Sequence, residues 1–104
     1  LLGQRLTRPT LPAAAQQRAE AQLAEARAEY ERDPNLEHTI WYGRRAAYLF
    51  QYQRAIAIYT DGIRRFPEAH QLYRHRGHRF LSTRQFARAI DDLEQAAALA
   101  TGQT

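Results

Sequence analysis

Gly43 and Gly77 stand 34 residues apart, and the same interval separates Ala55 from Ala89, Ile56 from Ile90 and Tyr52 from Phe86. A fixed interval of this length constrains the fold more than composition does. A recurring unit must present compatible surfaces to its own copies, so the interval predicts stacked units and not one irregular core. Neither glycine sits among turn residues, and the helical spacing of apolar residues runs through both. A lone glycine inside a helix costs about 1 kcal/mol relative to alanine. Two of them at the repeat interval therefore call for a packing reason.

Prolines divide the chain. Pro9 and Pro12 mark residues 1–12 as an extended arm. Residues 13–35 follow as an N-terminal helix rich in Ala, Glu, Gln and Arg, all good helix formers. Ala15, Ala19, Leu23, Ala26 and Tyr30 recur at spacings of three and four, which lays one narrow apolar stripe along it. Arg27 and Glu31 lie four apart on its outer side. Asp33 precedes Pro34 and is pushed out of the helical region, so this helix stops there. Pro67 then separates a first unit, 36–69, from a second unit and tail, 70–104. The expected helices are 13–32, 36–49, 53–65, 70–82 and 86–100, with the first laid against the first unit.

With these residues the sequence resembles the tetratricopeptide repeat, a helix–turn–helix unit of 34 residues. The second unit carries Tyr73, Arg76, Gly77 and Phe80 at the positions of that family's opening pattern, and the first carries Thr39, Tyr42, Gly43 and Ala46. Its second block is matched by Tyr52, Ala55 and Tyr59, then by Phe86, Ala89 and Leu93. Gly62 and Ala96 supply the small residue that follows, and Pro67 the closing proline, for which Thr101 stands in the second unit. Two departures are Thr39 in place of a large aromatic and Arg76 in place of a leucine, the latter paired with a carboxylate or snorkelling its stem. The resemblance covers residues 36–100 and implies an all-α fold: an α-α superhelix of two helical hairpins with an N-terminal packing helix. It further implies that glycine on the first helix of a unit meets alanine on the second where the two cross.

Charge and composition narrow the function classes. The 104-residue chain is enough for one small domain. It has no cysteine, which removes disulfides, thiolate metal sites and a cysteine nucleophile. Net charge is +4, every basic side chain is arginine, and nineteen residues are alanine. That bias is read as genomic composition ahead of arginine selected for binding. Eleven carboxylates are interspersed with the arginines, so no continuous basic stripe speaks for nucleic acid, and none is expected as a partner. No apolar run approaches the roughly 20 residues of a membrane span. The opening LLGQRLTRPTLP lacks a methionine and resembles the mature start of an exported bacterial protein, periplasmic or secreted; a cut in a longer chain gives the same opening.

The stretch YRHRGHRF, residues 73–80, concentrates the chemistry. His75 and His78, with His70, have a spacing that two metal ligands can use, but arginines crowd them and no carboxylate lies on that face, so no metal and no cofactor is expected. Catalysis is not expected either. Ser82 has no histidine at a demonstrable catalytic spacing, Asp91 and Asp92 read as favourable placement near a helix start, and no phosphate loop or dinucleotide fingerprint occurs. In the repeat architecture the first helix of each unit lines a concave groove. The facing positions are Glu37, Ile40, Arg44, Ala47 and Tyr48, then Gln71, Arg74, His78, Leu81 and Ser82. Tyr73, Gly77 and Phe80 turn inward. The expectation is a protein-interaction scaffold whose groove takes a peptide or protein, with Arg44, Arg74 and His78 attracting carboxylates and Ile40 and Tyr48 gripping apolar groups. Some family members clamp a C-terminal carboxylate with lysine and asparagines; the matching positions here are Ile40, Arg44 and His75, so that activity is not implied and another acidic ligand is. The alternatives are a non-catalytic module of a larger enzyme or regulator, and nucleic-acid binding by the arginine-rich face with Trp41 and Tyr48 as stacking partners. A last expectation concerns the final helix. Ile90, Leu93, Ala97 and Leu99 are predicted to leave an uncovered apolar surface, closed by further repeats or by a second copy.

Overall fold

In the computed structural model, which describes residues 10–102, the chain forms α1 (Ala13–Arg32), α2 (Leu36–Tyr48), α3 (Tyr52–Arg65), α4 (His70–Ser82) and α5 (Phe86–Ala100). The fold is all-α, with no strand among the described residues. Each span lies within one residue of that expected from the sequence. Most of the expected extended arm, residues 1–9, falls outside the described residues; Thr10, Leu11 and Pro12 precede α1 without regular structure.

Local chemistry accounts for the starts and stops. Asp33 ends α1 in an extended conformation, φ −151°, as the following proline requires. Asn35 caps α2: its side-chain oxygen accepts the His38 N–H at 2.7 Å. The exits of α2 and α4 are built alike and without glycine. Phe50 and Arg84, 34 residues apart, adopt left-handed φ values of 63° and 61°. After each, a backbone N–H reaches back five residues: Gln51 to the Ala46 carbonyl at 3.0 Å, Gln85 to the Phe80 carbonyl at 2.7 Å. This is the Schellman arrangement, and it occupies carbonyls that a helix end leaves open. The repeat interval is thus carried by the backbone as well as by side chains.

Consecutive helices pack on one another in chain order, and α2 also touches α4. α1 lays its stripe on α2, burying Ala19, Leu23 and Ala26, while Tyr30 sets its ring 5.1 Å from that of Tyr42. Arg65 ties the same corner together, donating to the Pro34 carbonyl, to Tyr30 and to Thr39. The main core holds Tyr42, Ala46, Leu49, Ala55, Tyr59 and Leu72. Leu72 is fully buried although it belongs to no repeat position.

The helix crossings differ from the expected meeting of glycine with alanine. Ala55 and Ala89 are fully buried, but the residue facing Gly43 is Tyr59, one turn further along α3. A Cβ at Gly43 would collide with the Tyr59 ring. Gly77 likewise faces Leu93, whose Cγ and Cδ2 lie 3.1 Å from where a Cβ would be. The glycine on the first helix therefore admits a large side chain from the second. At the other contact between these helices the sizes reverse. Gly62 lies against the methyl of Thr39, 2.8 Å from a would-be Cβ, which explains a threonine where an aromatic was expected. Thr39 is fully buried, and its hydroxyl donates to the Asn35 carbonyl at 2.7 Å.

The expected apolar surface on α5 is shifted. Ile90 and Ala97 are exposed, but Leu93 and Leu99 are half-buried, Leu93 because it fills the space above Gly77. Phe86 takes their place in the exposed stripe.

Candidate binding cleft

α2, α3 and α4 enclose a cleft of about 250 Å³ lined by Arg44, Ala47, Tyr48, Tyr59, His75, His78 and Arg79. Two crossings create it. Gly43 lets Tyr59 rise between α2 and α4, and His75 stacks on the Tyr59 ring, centroids 5.6 Å apart and 23° from parallel. Tyr59 is 1% exposed, and burial pushes its hydroxyl up to about 12, so it stays a neutral donor. The cleft contains no carboxylate among the described residues.

Its cations are held in place by rings and not by counter-ions. The Arg44 guanidinium lies 4.4 Å from the Trp41 ring centroid, and Arg79 lies 5.5 Å from that of Tyr52. Among the described residues neither Arg44, Arg74 nor Arg79 forms an ion pair. Arg79 Nε is buried with no hydrogen-bond partner. A buried donor left open costs free energy. His75 sits among these charges. Burial, then Arg44, Arg74, His78 and Arg79, pull its imidazole down from 6.5 to about 4, so the ring is neutral at pH 7.

Of the residues expected to line one groove, Arg44, Ala47, Tyr48 and His78 meet in this cleft. Tyr48 is 55% exposed at its edge. Arg74 is exposed beside it and acts on it through charge. Ile40 and Gln71 are half-buried, and Leu81 is exposed. Ser82 turns back to donate to the His78 carbonyl at 3.1 Å. Glu37 lines a different cleft, between α1 and α2, with Glu25, Glu29, His38, Trp41 and Arg45. The sequence reading did not place Tyr59, His75 or Arg79 among the groove residues. The signal for Tyr59 was the glycine opposite it, which removes a side chain where a large one must pass.

A larger concavity, about 450 Å³, lies across α3, α4 and α5 on Gln53, Thr60, Arg76, Gln85, Arg88 and Asp92. Its buried charges are already engaged, while Asp91 at its edge stays exposed. Arg76 holds Asp92 and donates to Thr60, and Arg88 donates to Gln85. Asp92 is therefore a buried ion-pair partner and not a helix-dipole residue as its place in the sequence suggested. Among the described residues no three His, Asp or Glu side chains are grouped to hold a metal ion, and no helix is long and apolar enough to cross a membrane. Comparison with protein-family models, with curated proteins and with solved structures found no match.

Proposed function

We propose that this chain is a tetratricopeptide-like repeat module, non-catalytic in itself, that binds an acidic peptide or protein segment in the cleft between α2 and α4. One observation carries the reading: two arginines and two histidines line the cleft without a carboxylate, Arg74 lies exposed beside it, and none of Arg44, Arg74 and Arg79 is ion-paired among the described residues. An anion is the complement that this arrangement lacks. Tyr48 and the half-buried Ile40 supply apolar contact along the same helix. The repeat assignment is supported by the 34-residue interval in side chains and by its recurrence in the two left-handed helix exits.

An array of short peptides of graded charge, probed with the purified chain, tests this. Acidic peptides should be retained, and retention should fall with added salt because the contacts are exposed. Arg44→Ala combined with Arg74→Ala should abolish the preference. Equal retention of the same peptides by the double variant would overturn the reading.

A further inference from the structure

His75 lines the cleft among its cations. Its ring lies flat on Tyr59. The charged and titratable groups around it come from every neighbouring helix. α2 contributes Arg44, and α4 contributes Arg74, His78 and Arg79. α3 contributes Tyr59, which is neutral. α5 sends its buried carboxylate, Asp92, toward α4, but Arg76 holds both its oxygens. No hydrogen bond engages either ring nitrogen of His75 among the described residues. The cleft thus combines excess positive charge with an imidazole kept unprotonated first by burial and then by that charge. An anion placed among these groups offsets the repulsion, and the protonated ring then becomes a further donor to it.

We propose that the floor of the cleft is a proton-coupled oxyanion site: one carboxylate or phosphoryl group of the ligand seats between Arg44 and Arg79 and binds together with one proton taken up from solvent by His75. The proposal rests on the reading of this cleft as the site for acidic ligands and adds that affinity rises as pH falls. The direction follows from linkage. The anion-bound state holds a proton that the free state lacks, so binding strengthens between the bound and free midpoints as protons become available.

Sulfate and N-acetylglycine test it, because both keep a constant charge between about pH 5 and pH 8, so any pH dependence belongs to the protein. The His75 ring resonance is followed through a pH titration with and without each probe, at ionic strength fixed with sodium chloride. His75→Gln identifies the resonance. The expected result is a midpoint raised by about two pH units in the presence of probe, and binding about tenfold tighter at pH 5 than at pH 8. His75→Gln made in a His78→Gln background, so that no histidine is left in the cleft, should bind with similar affinity at both pH values. The better of the two probes distinguishes a tetrahedral phosphoryl-like group from a peptide carboxylate. An unmoved His75 midpoint while Arg44 and Arg79 signals report binding would overturn proton coupling and leave the acidic-ligand reading standing. Tenfold pH dependence surviving in that double variant would also overturn it. Absence of any response to either probe, at concentrations up to the millimolar range, would remove both.

Discussion

Arg76 grips Asp92 through two parallel hydrogen bonds, Nε to Oδ2 at 2.7 Å and Nη2 to Oδ1 at 2.8 Å, between α4 and α5. Both side chains are largely buried, 19% and 8% exposed, and the carboxylate bond holds the arginine further above its usual range. Breaking one partner of such a pair strands the other. Asp92→Ala should cost about 2–3 kcal/mol in urea denaturation, allowing for the partial exposure of Arg76. Arg76→Leu combined with Asp92→Ala should recover most of that loss, since the double variant removes both charges and leaves no buried partner stranded. A cost under about 1 kcal/mol for the single variant would show that the pair is not what joins these helices.

The two repeat glycines should respond unequally to alanine. At Gly43 the new Cβ meets the Tyr59 ring, which His75 prevents from swinging away. At Gly77 the neighbours are 3.1–3.2 Å away and must give by only a few tenths of an ångström. Gly43→Ala should destabilise by at least about 2 kcal/mol through overpacking. Gly77→Ala should stay within about 1 kcal/mol of the parent, because helix propensity offsets the crowding. Leucine at either position should be strongly destabilising. Equal thermal midpoints for the two alanine variants would contradict this geometry.

His75 makes stability depend on pH. Its folded-state value lies near 4 and its ordinary value is 6.5, so between these limits the unfolded chain binds a proton that the folded chain refuses. Stability from this group is full above about pH 6.5 and is lost as pH falls toward 4, by roughly 2 kcal/mol after discounting for solvent screening. Carboxylates such as Asp61, whose value Arg64 and Arg65 lower, lose stability further down the acid range. Comparing the parent with His75→Phe, which keeps the stack on Tyr59, isolates the histidine. Parallel stability curves between pH 7 and pH 4.5 would refute the assignment.

The chain should self-associate through α5. Phe86 and Ile90 are 51% and 55% exposed, whereas Tyr52 and Ile56, their counterparts one interval earlier, are half-buried beside α4. Arg84, which rests on the Phe86 ring, and Glu94 lie toward opposite ends of the stripe, and neither is ion-paired among the described residues. An antiparallel two-fold contact of α5 with a second copy brings these opposite charges face to face and covers the apolar stripe. Sedimentation over a concentration series should show a reversible dimer, and Phe86→Glu with Ile90→Glu should return it to monomer. A strict monomer at high concentration would exclude the contact.

The sequence alone determined the helices and their interval. Helix propensity, the stop before Pro34, and apolar spacing act over a few residues, so α1 through α5 were legible before any contact was known. Ala19, Leu23 and Ala26 could be assigned to a buried face for the same reason. The tertiary structure decided what each face meets. Whether Gly43 faces Ala55 or Tyr59 depends on how far α3 slides along α2, and a shift of one turn changes the answer without changing any local signal. That slide brings Tyr59 under His75, and with it the uncompensated cations of the cleft. Packing between α4 and α5 likewise decided that Asp92 is gripped by Arg76 while its neighbour Asp91 stays exposed. Side chains at the edge of a helical face are assigned by the crossing of two helices, and that crossing belongs to no single stretch of sequence.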